Sequence, residues 1–319
     1  MEITNKYNRS TSNYYINKED SNVIKGFLML LIILGHNHIL APTEGPLFHY
    51  LYSFHLVCFF ILPYFYNKKL SYSWDSVKSL VRRLLIPYTF FFVFCLLVSS
   101  VIVGIQHKSF LEITKGYIIG SPYTLRNSIG FVFLWFLPSF FSFSLMRIIG
   151  NKFNYIKKLL LFLSFSTCFL SFSSEEYLKN LLPIGIMFAI KFYWVGWTCF
   201  YLIKYSQKVI YIWPIMFTII TYLFWNDYLT SILMHSIPIF AFCAIIAILP
   251  LLRNRLLIAI GRYSLEIYLI HVFLLSFMQK VVPNNVFGGL VSYIISLLLT
   301  YIIIKFIYRI KIDKFIFPR

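Results

Sequence analysis

Residues 84–105 read LLIPYTFFFVFCLLVSSVIVGI, 22 positions without a charge, directly after the pair Arg82 and Arg83. At about 1.5 Å rise per residue, a helix of that length runs about 33 Å, enough to cross the hydrocarbon core of a bilayer. Runs of this kind recur from end to end, with approximate spans at 23–41, 47–66, 84–105, 131–149, 157–172, 181–203, 209–224, 232–252, 256–278 and 286–308. The predicted fold class is an all-α integral membrane protein with about ten transmembrane helices.

The whole composition agrees. The 319 residues are 59% hydrophobic and only 13% charged, with a mean hydropathy of +0.75, whereas soluble domains carry roughly 25% charge. A soluble core cannot absorb that much apolar surface. The expected organisation is a cytoplasmic N-terminal segment at 1–22, a single membrane domain over 23–308 and a cytoplasmic C-terminal tail at 309–319. The first 22 residues are polar and no convincing cleavage site follows Val23, so the first helix is expected to be retained. The connection at 106–130 contains Gly116, Gly120, Pro122 and Gly130 and is expected to be an irregular outer loop covering a cleft.

Orientation follows from the basic residues, because short cytoplasmic loops retain Lys and Arg. With the N-terminus inside, alternate segments hold 23 of these residues on the cytoplasmic side and five outside, leaving Lys191 within a span. Both termini are thus expected in the cytoplasm, in a multi-pass protein of the cell membrane. A net charge of +18 spread over loops on one face points to anionic membrane lipids rather than nucleic acid. All five cysteines (Cys58, Cys95, Cys168, Cys199 and Cys243) fall in apolar spans without metal-site spacing, which leaves them as packing residues.

The chemistry-bearing residues inside the spans are few. Lys25 and His36 are eleven positions apart in the first span, which places them about 20° apart in azimuth and about 16 Å apart along the axis. Counting from the span ends puts His36, His55 and His271 at nearly one depth in the outer half of the bilayer. Ionisable groups there favour a protein interior or wet cavity. An imidazole, with an unperturbed pKa of about 6.5, can take a proton from a hydroxyl near neutral pH. No HxxxH spacing suggests a metal.

Lys78, Arg82 and Arg83 precede the third span. Such residues either anchor a helix end or recognise a polyphosphate, for which guanidinium groups are geometrically suited. Lys191 and Glu266 both count to the midplane, where an ion pair between them would reduce their burial costs.

These residues sit in an ordered set of motifs: Asn22-Val23-Ile24-Lys25-Gly26 leading to Leu34-Gly35-His36, then Phe54-His55-Leu56 with Phe59-Phe60, then Arg82-Arg83-Leu84-Leu85-Ile86-Pro87-Tyr88. Leu134-Trp135-Phe136-Leu137 and the run Gly261 to His271, which includes Glu266 and Tyr268, follow. Their order over residues 20–275 resembles the membrane acyltransferase-3 family, in particular its fucose 4-O-acetylase-like branch. The resemblance implies an O-acetyltransferase that takes acetyl from cytoplasmic acetyl-CoA to a hydroxyl of a cell-surface polysaccharide or lipid-linked glycan. Glycan-assembly proteins are possible partners, and no permanently bound cofactor is implied. It further implies His36 as the catalytic base, with Lys25, Lys78, Arg82 and Arg83 at the donor and His55, Trp135, Tyr268 and His271 lining an acceptor cavity. Asn22 departs from a frequent aspartate of the family, and Ser79 stands at the place of the earlier of two arginines that some relatives space three apart. The alternative is a non-enzymatic polysaccharide exporter or assembly partner of the same architecture, whose cavity binds sugars by stacking and hydrogen bonding.

Overall fold

The computed structural model describes residues 15–66, 72–102, 108–205 and 231–318, with 212, 215–217 and 219 between the last two stretches. The seventh expected span, 209–224, lies mostly outside the described residues, as do Lys6, Arg9, Lys68, Lys69, Lys208 and Arg319 of the charge count. The segment expected at 1–22 is described only from Tyr15.

The described residues contain helices and no strand. We number the α-helices α1 (Lys18–Gly35), α2 (Pro46–Tyr52), α3 (Val57–Ile61), α4 (Trp74–Leu80), α5 (Ile86–Ile102), α6 (Phe110–Ile119), α7 (Pro122–Ile129) and α8 (Phe136–Lys152). They continue with α9 (Asn154–Ser166), α10 (Phe172–Leu181), α11 (Ile186–Tyr205), α12 (Ser231–Leu252), α13 (Arg255–Arg262), α14 (Ser264–Val281), α15 (Val286–Arg309) and α16 (Asp313–Ile316). A π-helical turn, Val81–Leu85, joins α4 to α5.

Among the described residues, six stretches are long and apolar enough to cross a membrane: Pro46–Phe65, Trp74–Val101, Phe133–Lys152, Pro183–Tyr205, Ser264–Val281 and Val286–Arg309. Ser236–Leu252 is apolar but shorter. The protein is therefore an all-helical membrane protein. The expected fifth span is represented by the 13-residue α9, too short to cross alone. The expected first span, 23–41, is also corrected: α1 stops at Gly35 and residues 36–45 form turns.

α1 runs through the interior. Asn17 caps it by accepting from the Asp20 amide at 2.7 Å, and Glu19 and Asp20 in its first turn complement the helix dipole. Asp20 is only 2% exposed, and its carboxylate accepts a two-pronged bond from Arg253 at 2.7 and 2.8 Å. Next to this anchor α1 crosses α13 at backbone contact. A Cβ on Gly26 would overlap the Leu257 carbonyl, and one on Gly261 would overlap the Asn22 carbonyl. Only hydrogen at both positions lets the two helices meet.

α15 has the inverted polarity of a lipid-facing helix. Gly288, Gly289, Ser292, Ser296 and Thr300 are buried, while Leu290, Ile294, Leu298 and Ile302 face outward at four-residue spacing. It is tied to the centre by the Asn37 amide, which donates to the Gly289 carbonyl at 2.9 Å, and by the Tyr293 hydroxyl, which donates to the Leu30 carbonyl at 3.1 Å.

Two expected coils are ordered. The connection at 106–130, expected outside, contains α6 and α7, both begun by capping boxes on Ser109 and Ser121. Gly120 (φ 63°) and Gly130 (φ 77°) end these helices in the left-handed region, and Pro122 starts the second, so the residues expected to break helices bound them instead. At the other end, Lys311 (φ 61°) turns the expected tail back into α16, burying Ile316 and Phe317, whose ring lies 6.1 Å from that of Phe91.

Candidate functional site

A cavity of about 600 Å³ enters between α4 and α8. Its outer wall carries the exposed Asp75, Ser79 and Arg83, with Ser73 and Ser76 beside them. Lys25 on α1 and Arg147 on α8 add two more cations. Deeper, the lining becomes apolar, with Met29, Ile32, Phe59, Phe136 and Phe140, and it ends at the buried Tyr268. Polyanion recognition at the entrance and an apolar arm below it are the chemistry this gradient accommodates.

Local structure sets the entrance. Pro87 has no N–H to give the Arg83 carbonyl, and the Ile86 amide bonds five residues back to Val81, which opens the π turn that holds Arg82 and Arg83. Arg147 is fixed by donating to the Pro63 carbonyl at 2.7 Å while its guanidinium carbon sits 4.5 Å from the Tyr64 ring centroid. Its position within the expected 131–149 span was the available signal for this role, but a cation near a span end reads first as a topology marker.

The histidines gather just past the cavity floor, at breaks in the helices. His36 is the C-cap of α1, and His55 lies in the turn at 53–56 between α2 and α3. His271 is buried on α14, three residues after Tyr268. The rings of His36 and His271 are 5.3 Å apart, edge to face, and Tyr52 bridges the other pair, 6.1 Å from His36 and 4.9 Å from His55. Ile32, which lines the cavity, is also the residue whose carbonyl accepts from His36 Nδ1 at 2.8 Å.

The same device recurs three times: His55 Nδ1 bonds the Leu51 carbonyl, and His271 Nδ1 bonds the Ile267 carbonyl at 2.8 Å. A carbonyl only accepts, so each Nδ1 carries a proton, and in the neutral form of each ring Nε2 is the basic nitrogen. His55 and His271 are fully buried, whereas His36 keeps exposed surface. His36 is thus the one of the three that is not fully buried. The Gln279 amide steadies its backbone by donating to the His36 carbonyl at 3.2 Å.

A family model for the acyltransferase domain matches residues 18–309, a range that holds the cavity and all three histidines. The chain belongs to this acyltransferase family. No curated protein and no solved structure matches it. Family and apolar helices together make it a membrane acyltransferase.

In this acyltransferase the remaining predicted site residues scatter. Of the basic trio, Arg83 lines the main cavity, whereas Lys78 and Arg82 line a smaller recess beside it. Trp135 lies 4.4 Å from Phe188 and makes no ring contact with the histidines. Tyr268 lines the cavity floor and donates from its hydroxyl to the Phe133 carbonyl.

The expected Lys191–Glu266 pair is corrected. Lys191 bonds Glu175 at 2.6 Å, and the Glu266 carboxylate accepts from the Tyr308 hydroxyl at 2.6 Å. The 256–278 run is split at Tyr263, so Glu266 lies in the first turn of α14 rather than at the middle of a longer helix.

Glu175, on α10 outside the spanning stretches, also bonds Lys179 at 2.7 Å. Burial alone would raise its carboxyl pKa, but Lys191 and Lys179 outweigh burial and hold it below the usual value. A lowered carboxyl pKa contributes stability above the ordinary carboxylate range and loses it as pH falls through the folded-state value. Glu175→Gln should cost on the order of 3 kcal/mol at neutral pH, because it strands Lys191. Thermal unfolding against pH should show the gap between wild type and Glu175→Gln closing on acidification. A gap that stays constant to low pH contradicts the pairing.

Proposed function

We propose that the acyltransferase moves acetyl from acetyl-CoA, bound through the Arg83, Arg147 and Lys25 cavity, to a glycan hydroxyl presented at His36. The observation that carries this reading is one cavity lined both by Lys25, Arg83 and Arg147 and by Ile32 and Tyr268, of which Ile32 bonds His36 and Tyr268 lies 6.3 Å from the His271 ring. Arg83 and Arg147 bind the nucleotide end as charge-assisted donors, and Lys25 adds positive charge on the α1 wall. The pantetheine arm follows the apolar lining, which brings its thioester toward Tyr268. His36 Nε2 takes the proton as the acceptor hydroxyl oxygen attacks the thioester carbonyl. The C–S bond breaks, the ester remains on the glycan, and the imidazolium returns its proton to the departing thiolate. Holding donor and acceptor together supplies the rest of the rate.

On this reading the termini and cationic entrance face the cytoplasm, as the basic-residue asymmetry indicates. The acceptor is a polysaccharide or lipid-linked glycan beyond the opposite face, in line with the resemblance to fucose 4-O-acetylases. The test follows label from [1-¹⁴C]acetyl-CoA into isolated glycan with purified protein in lipid nanodiscs. Labelled ester is expected with the native glycan. Glycan binding or transport without any labelled ester would favour the exporter.

A further inference from the structure

The basic residues before α5 open onto two recesses. The second, of about 240 Å³, is lined by Asp75, Lys78, Ser79 and Arg82, and it shares Asp75 and Ser79 with the main cavity. Lys78 and Arg82 are four residues apart, as are Ser79 and Arg83, so the two pairs form neighbouring stripes along the helix. Asp75 and Ser79 are the ridge between them.

Among the described residues Lys78, Arg82 and Arg83 form no ion pair, although Asp75 shares their walls. Lys78 places its ammonium 5.7 Å from the Trp74 ring centroid. A recess offering a guanidinium, an ammonium and a hydroxyl is suited to a phosphate monoester, whose three terminal oxygens accept strong hydrogen bonds.

A CoA donor carries two kinds of phosphate. Its diphosphate continues into the pantetheine arm, so it must stand over the main cavity beside Arg83. Its 3′-phosphate branches from the ribose and needs a place to one side. We infer that the Lys78–Arg82 recess holds the 3′-phosphate while Arg83 faces the diphosphate. This assignment rests on the donor reading above. The Asp75 carboxylate opposes both anions, and its removal should tighten donor binding.

The experiment compares CoA with dephospho-CoA, which lacks only the 3′-phosphate, by calorimetry on protein in zwitterionic nanodiscs. Wild type should prefer CoA by roughly tenfold to a hundredfold, the range for hydrogen bonds to charged groups. The double variant Lys78→Gln and Arg82→Gln should lose that preference and bind dephospho-CoA as wild type does, while Arg83→Ala should weaken both ligands. Asp75→Asn should bind CoA more tightly. Equal losses of CoA and dephospho-CoA in the double variant, or an intact preference, would overturn the assignment while leaving the donor reading standing. A lipid monoester as the true occupant would appear as Lys78- and Arg82-dependent retention of phosphatidic acid with no CoA preference, and also overturns it. If wild type binds neither nucleotide, the donor reading itself fails.

Discussion

His36→Ala should lower acetylation by about 10² to 10⁴, the usual contribution of a positioned acid or base. CoA affinity should hardly change, because His36 lies beyond the cavity floor rather than among its lining residues. The effect belongs to one nitrogen. Nδ1 is committed to the Ile32 carbonyl, which leaves Nε2 to take the proton. His55→Ala and His271→Ala are the informative comparisons, since both rings have the same tautomer but are completely buried. They should disturb packing around Tyr52 and His36 and show it as reduced thermal stability. Rates under donor saturation, normalised to folded protein, separate the loss of a base from the loss of structure.

The second large effect is on donor binding. Arg83→Ala and Arg147→Ala should each raise the CoA dissociation constant by roughly 10- to 100-fold, the range for charge-assisted hydrogen bonds. Turnover at saturating donor should be spared, because neither residue approaches the histidines. The two differ in kind. Arg83 is exposed, whereas Arg147 also holds the Pro63 carbonyl and the Tyr64 ring, so Arg147→Ala carries an additional stability cost. Arg147→Lys keeps the charge but loses the planar fork, and should fall between wild type and alanine. Calorimetric titration with CoA checks all three. Unchanged affinity in folded Arg83→Ala would remove the cavity entrance from the donor site.

Hydropathy made the membrane character legible, because 22 uncharged residues after Arg82 and Arg83 admit few other readings. Residue counting brought His36, His55 and His271 to a similar depth, and the structure places them in one aromatic group. What it missed were the breaks. An apolar run stays apolar through a turn, so the ends of α1 at Gly35 and of α2 at Tyr52, and the split at Tyr263, left no trace in composition. The misplaced Glu266 follows from that split.

Glycine was ambiguous in the opposite direction. Gly120 and Gly130 look like breakers within one loop but terminate two capped helices, and the distinction lies in Ser109 and Ser121 upstream. The separation of Arg82 from Arg83 into two recesses depends on how the side chains leave the π turn. The Arg147 site depends on packing against Tyr64 from a distant helix. Neither is encoded in spacing along the chain.

On the proposed function, the acyl group enters from the cationic cavity and leaves at the His36 end. The most direct measurement uses proteoliposomes with the protein in one orientation, radiolabelled acetyl-CoA on one face and the glycan on the other. Labelled glycan should form when acetyl-CoA is supplied on the face bearing Arg83 and the glycan on the opposite face, and it should fall to background in folded His36→Ala. Acetylation that requires donor and acceptor on the same face, or that persists at a near-normal rate in His36→Ala, would contradict the account.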